Sequence, residues 1–347
     1  ATLAVLQAGD TVGCNQLESP AMRNLLRAMQ PTGRRDVMKA LALIRPGAAS
    51  IGMKEVFVRR HRGLDPIPPS DPRVDRVLAD TYGVMLYEDD VLLLAAAMLD
   101  DSPAVADRFR KSVQKCPNDE QRLELSREFI GRCVAAGIDR KLVEDIWIQM
   151  AKFNAYSFCR AHAASYAQLA WTVAYLKTHE PLAFWVAALN NNQSMYHPRV
   201  YVEQAKRMGI RFLPADVNAS ETEFTIDGES IRVGLNFVGG LGPASIEAVL
   251  DARRRGPFVG LSDFLSRTRL GDEEARALIL CGAFDTLDRT RPAMMMELRL
   301  ASHLAPAGAK GSACLLPTEI SLPVEPDDYS PARKLAEQRQ ILGISVG

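Results

Sequence analysis

Two stretches of this sequence gather the residue types that bind anions. The first is Phe153-Asn-Ala-Tyr-Ser-Phe-Cys-Arg-Ala-His-Ala-Ala-Ser-Tyr-Ala167, a non-periodic run of aromatics with one arginine and one histidine. A helical pattern follows it. Tyr166, Leu169, Ala170, Val173 and Leu176 recur at helical spacing and predict the apolar face, and Pro181 stops the helix. Arg160 and His162 then stand at or just before a helix N-terminus. Free backbone N–H groups and the positive end of the helix dipole point outward there. A guanidinium and an imidazole added to them make a phosphate cradle. A loop with solvated charges, whose histidine merely caps the helix, fits the same spacing.

The second stretch is Val238-Gly-Gly-Leu-Gly-Pro-Ala-Ser-Ile-Glu-Ala-Val249. A hydrophobic residue, then Gly240-Leu241-Gly242, then a helix with apolar Ile246, Val249 and Leu250 is a helix-hairpin-helix pattern. Gly240 and Gly242 carry no side chain, so backbone N–H groups can approach a DNA phosphate. The next helix offers its N-terminus to the same anion. Such contacts read no bases, so binding is expected to be independent of sequence. Arg253, Arg254 and Arg255 follow and strengthen this reading; a plain Gly-rich turn is the alternative. No Gly-Lys-Ser/Thr pattern and no βαβ frame point to a nucleotide loop.

Other cations are placed by the elements around them. Residues 34 to 44 read as a helix, and Arg45 precedes Pro46, which fixes it in a turn. Ser102-Pro103 opens a helix carrying Arg108, Arg110, Lys111 and Lys115. Arg108, Lys111 and Lys115 share one face, opposed only by Asp107. This stripe is the best electrostatic candidate for backbone phosphates, and a solvated basic face is its alternative. Arg59-Arg-His-Arg62 reads as a solvated cluster. Glu88-Asp89-Asp90 opens a helix, where carboxylates favour the dipole and need no metal. Thr81 to Tyr87 alternates like a short strand or extended piece.

The rest of the chain is mostly helical. Ser19-Pro20 caps a helix with Met22, Leu25, Leu26 and Met29 on one face. Helices at 119–135 and 139–152 are joined at Ala136-Gly137. Near residue 210 the character changes: Phe224 to Ile226 and Ser230 to Gly234, joined through Asp227-Gly228, predict a β-hairpin. Residues 301 to 326 are rich in Ala, Pro and Gly and read as a linker, before a last helix opened by Ser330-Pro331. The expected fold class is mainly α: a helical domain at 1–210, a small α+β region at 211–300 with the β-hairpin and the helix-hairpin-helix, and a linker with a lead-in helix at 301–347.

The bulk figures bound the partners. Among 347 residues, 42 Lys and Arg balance 42 Asp and Glu, so any basic surface must be local. No apolar run approaches the ~20 residues of a membrane span. Six cysteines lie scattered with no Cys-x-x-Cys pair, against a zinc site or a disulfide framework. A reducing, cytoplasmic setting fits best. Ala1 begins what already reads as a helix, so the chain is expected to be part of a longer one.

Assembled in order, these residues resemble the bacterial replicative DNA polymerase III alpha subunit, the C-family polymerases. Asn15-Gln-Leu-Glu-Ser19 is similar to the family's Phe-Gln-Leu-Glu-Ser, and Arg45-Pro-Gly47 to its Arg-Pro-Gly. Tyr82-Gly83 and Tyr87 follow. Phe158-Cys-Arg-Ala-His-Ala-Ala-Ser-Tyr-Ala167 is similar to Phe-Asn-Lys-Ser-His-Ser-Ala-Ala-Tyr-Ala, the most specific match. Tyr175-Leu-Lys-Thr-His179, Leu213-Pro-Ala-Asp-Val-Asn218 and Gly282-Ala-Phe-Asp285 complete the series. The resemblance implies polymerase fingers up to about residue 210 and a DNA-binding region after it. It implies a DNA-directed DNA polymerase, a nucleotidyltransferase working in replication. Arg45, Arg110, Lys111, Lys115, Arg160 and His162 would neutralise the triphosphate of the incoming deoxynucleotide. The helix-hairpin-helix would hold primer-template DNA, and the sliding clamp and other replisome subunits are further partners it implies. The Mg²⁺-binding aspartates would lie in a palm outside this chain, so no catalytic residue is expected within it. The departures are Glu88-Asp89-Asp90 where the family has Gln-Glu-Gln, and Arg110-Lys-Ser-Val-Gln-Lys115 for Arg-Arg-Ala-Met-Gly-Lys. Gly311 to Leu316 is at most a remnant of a clamp-binding motif. The chain therefore reads as a divergent member, with a non-catalytic or error-prone paralogue that binds DNA in a replisome or repair complex as the alternative.

Overall fold

The computed structural model describes residues 1–45, 52–114, 116, 118–153, 158–191, 195–304 and 324–346, with backbone only at 114, 152, 153 and 302–304. The chain is mainly α-helical with a small three-stranded sheet. It divides into two compact units, Ala1–His179 and Glu180–Gly347. No helix among the described residues is long and apolar enough to cross a membrane.

In the first unit the Pro20–Met29 helix forms as its sequence dictates. Ser19 Oγ accepts from the Met22 N–H at 3.2 Å, and Met22, Leu25, Leu26 and Met29 are buried. The Arg34–Leu43 helix packs along the Arg160–His179 helix. That packing overturns the expected apolar face. The buried stripe is Ala163, Ala167, Ala170, Ala174 and Lys177, while Leu169 is 47% and Leu176 43% exposed. Four of the five buried positions are alanines, small side chains that let a neighbouring helix pack closely. Lys177 closes the stripe. Its buried Nζ donates to the carbonyls of Asp10 at 2.7 Å and Val12 at 3.0 Å, and lies 3.6 Å from the Asp10 carboxylate. One cation thus fixes the irregular loop before Ser19.

A second layer of this unit is built on Val74, Leu94, Met98, Phe129, Val143 and Trp147. The rings of Phe109 and Phe129 stack at 5.1 Å and Phe129 meets Trp147 at 5.8 Å. These contacts join the Pro103–Gln114, Asp119–Ala135 and Arg140–Phe153 helices. Val84 to Leu86 form no regular element, Tyr87 alone is extended, and no described strand pairs with them. All four residues are buried, so the piece has no solvent face for a strand's alternation to present. The Glu88–Leu99 helix is opened by Asp90, whose carboxylate accepts from the N–H groups of Leu86 at 2.8 Å and Tyr87 at 2.9 Å. Burial pushes its pKa up against those two donors.

The second unit contains the predicted hairpin and one unforeseen strand. Strands β1 (Arg211–Leu213), β2 (Thr225–Asp227) and β3 (Ser230–Arg232) lie in the order β1-β3-β2, with β2 antiparallel and β1 parallel to β3. Ile226 faces Ile231 across the hairpin, and Gly228 turns it at φ +60°. Asn190 exchanges hydrogen bonds with the Phe224 backbone at 3.0 and 2.9 Å, so the Pro181–Asn191 helix belongs to this unit although the sequence changes character only near residue 210. The Pro331–Leu342 helix packs on the Asp272–Cys281 helix. Between these sits Gly282-Ala-Phe-Asp285. Gly282 adopts φ +89°, and the nearly buried Arg291 grips the Asp285 carboxylate at 2.8 and 2.6 Å and the Leu280 carbonyl at 2.8 Å.

Candidate functional site

The Arg160–His179 helix begins at Arg160, so Arg160 and His162 occupy its first turn as expected. The segment before it is anchored on both sides. The Phe158 carbonyl accepts from the Glu88 N–H at 3.1 Å, and the Phe158 ring receives the Arg45 guanidinium 4.6 Å from its centre. The His162 ring lies edge-on to Phe158 at 5.4 Å and against Tyr166 at 4.4 Å. Two aromatic neighbours therefore orient the imidazole. Arg160 sits 5.5 Å above the ring of Tyr87, a fully buried residue whose hydroxyl has no hydrogen-bond partner among the described residues. Arg45, Arg160 and His162 thus belong to one construction around Phe158 and Tyr87.

A cleft of about 670 Å³ opens beside Arg160, with Arg35, Asp80, Asp89 and Arg160 among its walls; Arg45 and His162 do not line it. Asp80 contacts Arg160 at 3.4 Å. Nothing in the sequence marks Asp80, because its partner lies 80 positions away. Arg110 and Lys111 do not line this cleft. Both pair with Asp107, at 2.9 and 2.7 Å. Hydrogen bonds from Lys111 and then Arg110 hold the Asp107 carboxyl below the usual range. Lys115, Pro46, Gly47 and residues 305–323, which include Gly311 to Leu316, lie outside the described residues. The Arg59 to Arg62 run is solvated only in part: Arg59 and Arg62 are exposed, Arg60 and His61 half-buried. Arg60 donates to the Tyr82 carbonyl at 2.9 Å, Arg62 to the Ala28 carbonyl at 3.2 Å, and the His61 ring lies 3.0 Å from the Tyr82 hydroxyl.

In the second unit Gly240 adopts φ +95° and Gly242 caps the Pro243–Arg253 helix. A side chain at either glycine would meet nothing within 4 Å, so this backbone faces open space. Arg254 and Arg255 are exposed, Arg254 pairing with Asp251 at 2.7 Å. Arg253 turns inward instead. Its guanidinium donates to the Ser220 carbonyl and the Glu221 carboxylate, each at 2.7 Å. The loop at 216–221 leaves carbonyls without helical or sheet partners, and the arginine supplies the missing donors.

Among the described residues no group of three or more His, Cys, Asp or Glu side chains is placed to hold a metal ion. Glu88 to Asp90 does not fit one either, since Asp90 is spent on the helix start.

The fold and the glycine turn before the Pro243–Arg253 helix define the class: a mainly helical protein with a helix-hairpin-helix motif. Residues 1–137 match the bacterial DNA polymerase III alpha subunit finger domain, and residues 209–294 match the helix-hairpin-helix motif. The chain is 32% identical over 333 residues to an error-prone DNA polymerase of Symbiobacterium thermophilum, covering 88% of this chain and 30% of that protein. It is 29% identical over 348 residues to the DNA polymerase III subunit alpha of Aquifex aeolicus, covering 99% and 29%. The same subunit of Bacillus subtilis is 30% identical over 357 residues, covering 99% and 31%. The chain belongs to the family of bacterial DNA polymerase III alpha subunits, as its finger and helix-hairpin-helix part, and spans about three tenths of the length of the curated relatives it matches.

Proposed function

We propose that this chain is the nucleotide- and DNA-contacting part of a DNA-directed DNA polymerase that adds deoxynucleotides to a primer 3′-hydroxyl. The observation that carries this is Arg160 and His162 in the first turn of a helix in the same compact unit as residues 1–137, which match a polymerase finger domain, with Arg45 held on the same aromatic anchor. Arg160 and Arg45 supply guanidinium donors to a triphosphate, and His162 adds a third donor, oriented by Phe158 and Tyr166. Arg110, Lys111 and Lys115 extend the positive surface toward phosphate. A divalent cation, Mg²⁺ in this reading, neutralises the transferring phosphate and is held by carboxylates outside this chain. Residues up to about 179, the first compact unit, act as the fingers rather than up to about 210, and 211–300 hold duplex DNA through the open backbone at Gly240 and Gly242 with Arg254 and Arg255 beside it. Arg253 shapes that region from within. The last segment leads toward a further domain, and the sliding clamp and other replisome subunits are partners of the whole polymerase, in the cytoplasm. The error-prone relative and Asp89 in the cleft wall favour a second reading, an enzyme of low fidelity.

The test is primer extension by the full-length polypeptide with Mg²⁺, beside DNA binding at two salt concentrations. Template-directed extension is expected, with affinity falling as salt rises. Arg160→Ala or Lys111→Ala should lower kcat/KM for the nucleotide by roughly 100-fold with unchanged melting. Extension unaltered in both variants overturns the assignment, and misincorporation frequency separates the two readings.

A further inference from the structure

The cleft beside Arg160 contains a carboxylate that an anion site does not obviously need. Asp80 offers one oxygen to Arg160 at 3.4 Å and the other to Lys39 at 3.5 Å. The two cations differ in freedom. Lys39 is 5% exposed, lies 3.9 Å from Asp36 and 5.2 Å from the centre of the Tyr82 ring, and cannot leave without stranding a buried charge. Asp36 is itself fixed by the Thr32 N–H and hydroxyl at 2.8 and 2.7 Å, with the His61 ring 3.9 Å away. The Arg160 and Asp80 side chains, by contrast, are 43% and 47% exposed and meet through one long contact. Such a pair is weak and exchangeable.

We propose that Asp80, held by buried Lys39, is the resting partner of Arg160, standing in for phosphate when the cleft is empty and releasing the guanidinium when a triphosphate arrives. The inference rests on the polymerase reading for the identity of the anion. A polyphosphate offers Arg160 several charged oxygens at once, where Asp80 offers one. Lys39, shared with Asp36, stays beside Asp80 after the exchange, so the arriving anion meets a partly compensated carboxylate rather than a bare one. Asp80 keeps Arg160 aimed, and Lys39 keeps Asp80 from repelling the ligand. Both are positioning residues, neither touching the reacting atoms.

The experiment measures binding of inorganic tripolyphosphate to the full-length polypeptide by calorimetry, beside primer-extension kinetics. Asp80→Asn should tighten tripolyphosphate binding about fivefold, and Lys39→Met should weaken it by about the same factor. In the double variant the Lys39→Met penalty should disappear, since Lys39 acts through Asp80. In extension, KM for the nucleotide should move with these affinities while kcat stays within about twofold. Asp80 is at the surface, so Asp80→Asn carries the test even where Lys39→Met melts early. Binding unchanged or weakened by Asp80→Asn overturns the proposal, as does a Lys39→Met penalty undiminished in the double variant. The expected binding pattern in a polypeptide that extends no primer supports this inference and overturns the polymerase reading; extension with Asp80→Asn indistinguishable from wild type does the reverse.

Discussion

The arginines around Arg160 and those around Arg253 end on different partners. Arg160 meets an exposed carboxylate and an aromatic face, and Arg110 shares the half-buried Asp107 with Lys111. Arg253, Arg267 and Arg291 reach inward to the carbonyls of Ser220, Gly256 and Leu280, and each adds a nearby carboxylate. Charge alone therefore does not make a cation available. Where loops leave carbonyls without ladder partners, a guanidinium is drawn in to satisfy them and is lost to ligands. Where helices satisfy their own backbone, the cation finds only side chains, and those can be exchanged.

The sharpest way to break this contrast is Arg291→Met. It strips a nearly buried cation from Asp285 and from the Leu280 carbonyl, and should cost the second unit about 3–5 kcal/mol, read by thermal unfolding. A loss comparable to a surface substitution would erase the distinction. Arg253→Met is the next step. It should cost about 1–3 kcal/mol and leave the salt slope of DNA binding unchanged. Replacing Arg254 and Arg255 together by alanine should do the opposite. Stability should stay within about 0.5 kcal/mol while the logarithmic salt slope falls by about 2. The smallest effect is expected from Asp107→Asn, which releases Arg110 and Lys111 and should tighten DNA binding by about threefold or less. The pKa of Asp107 is lowered in the folded protein, so its pairing is present above the ordinary carboxylate range and lost only as pH falls through the lowered value. The gain in the variant should therefore be constant from about pH 8 down to about pH 4.

Much of the architecture was legible because its causes are local. Ser19 before Pro20, the Met22-Leu25-Leu26-Met29 face and the Gly228 turn each follow from a few adjacent residues. The start of the helix at Arg160 was equally local. The misreadings have a different origin. Hydropathy ranks leucine above alanine, so it predicted the wrong face of the Arg160–His179 helix; what decided it was packing against the Arg34–Leu43 helix, which small side chains favour. Tripled arginines at 253 to 255 look equivalent in sequence, yet helical rotation turns Arg253 onto Ser220 and leaves its neighbours in solvent. Strand β1 is three residues long and parallel to a partner that comes after the hairpin turn, too short and too distant for alternation to reveal. Asp80 was silent for the same reason: its meaning is a contact with Arg160.

The Gly239 N–H donates to the Ile341 carbonyl at 3.1 Å, and a side chain at Gly239 would meet that oxygen at 2.8 Å. The hairpin proposed to hold DNA is therefore splinted by the last helix of the chain, about a hundred positions downstream. On the proposed function, deletion mapping that trims from the C-terminal side is expected to register a DNA-binding defect at this helix through the hairpin it supports, and comparisons of shortened fragments to place the binding site too far downstream. Evolution meets the same constraint: a drift in the last helix tilts the hairpin without altering one residue of it.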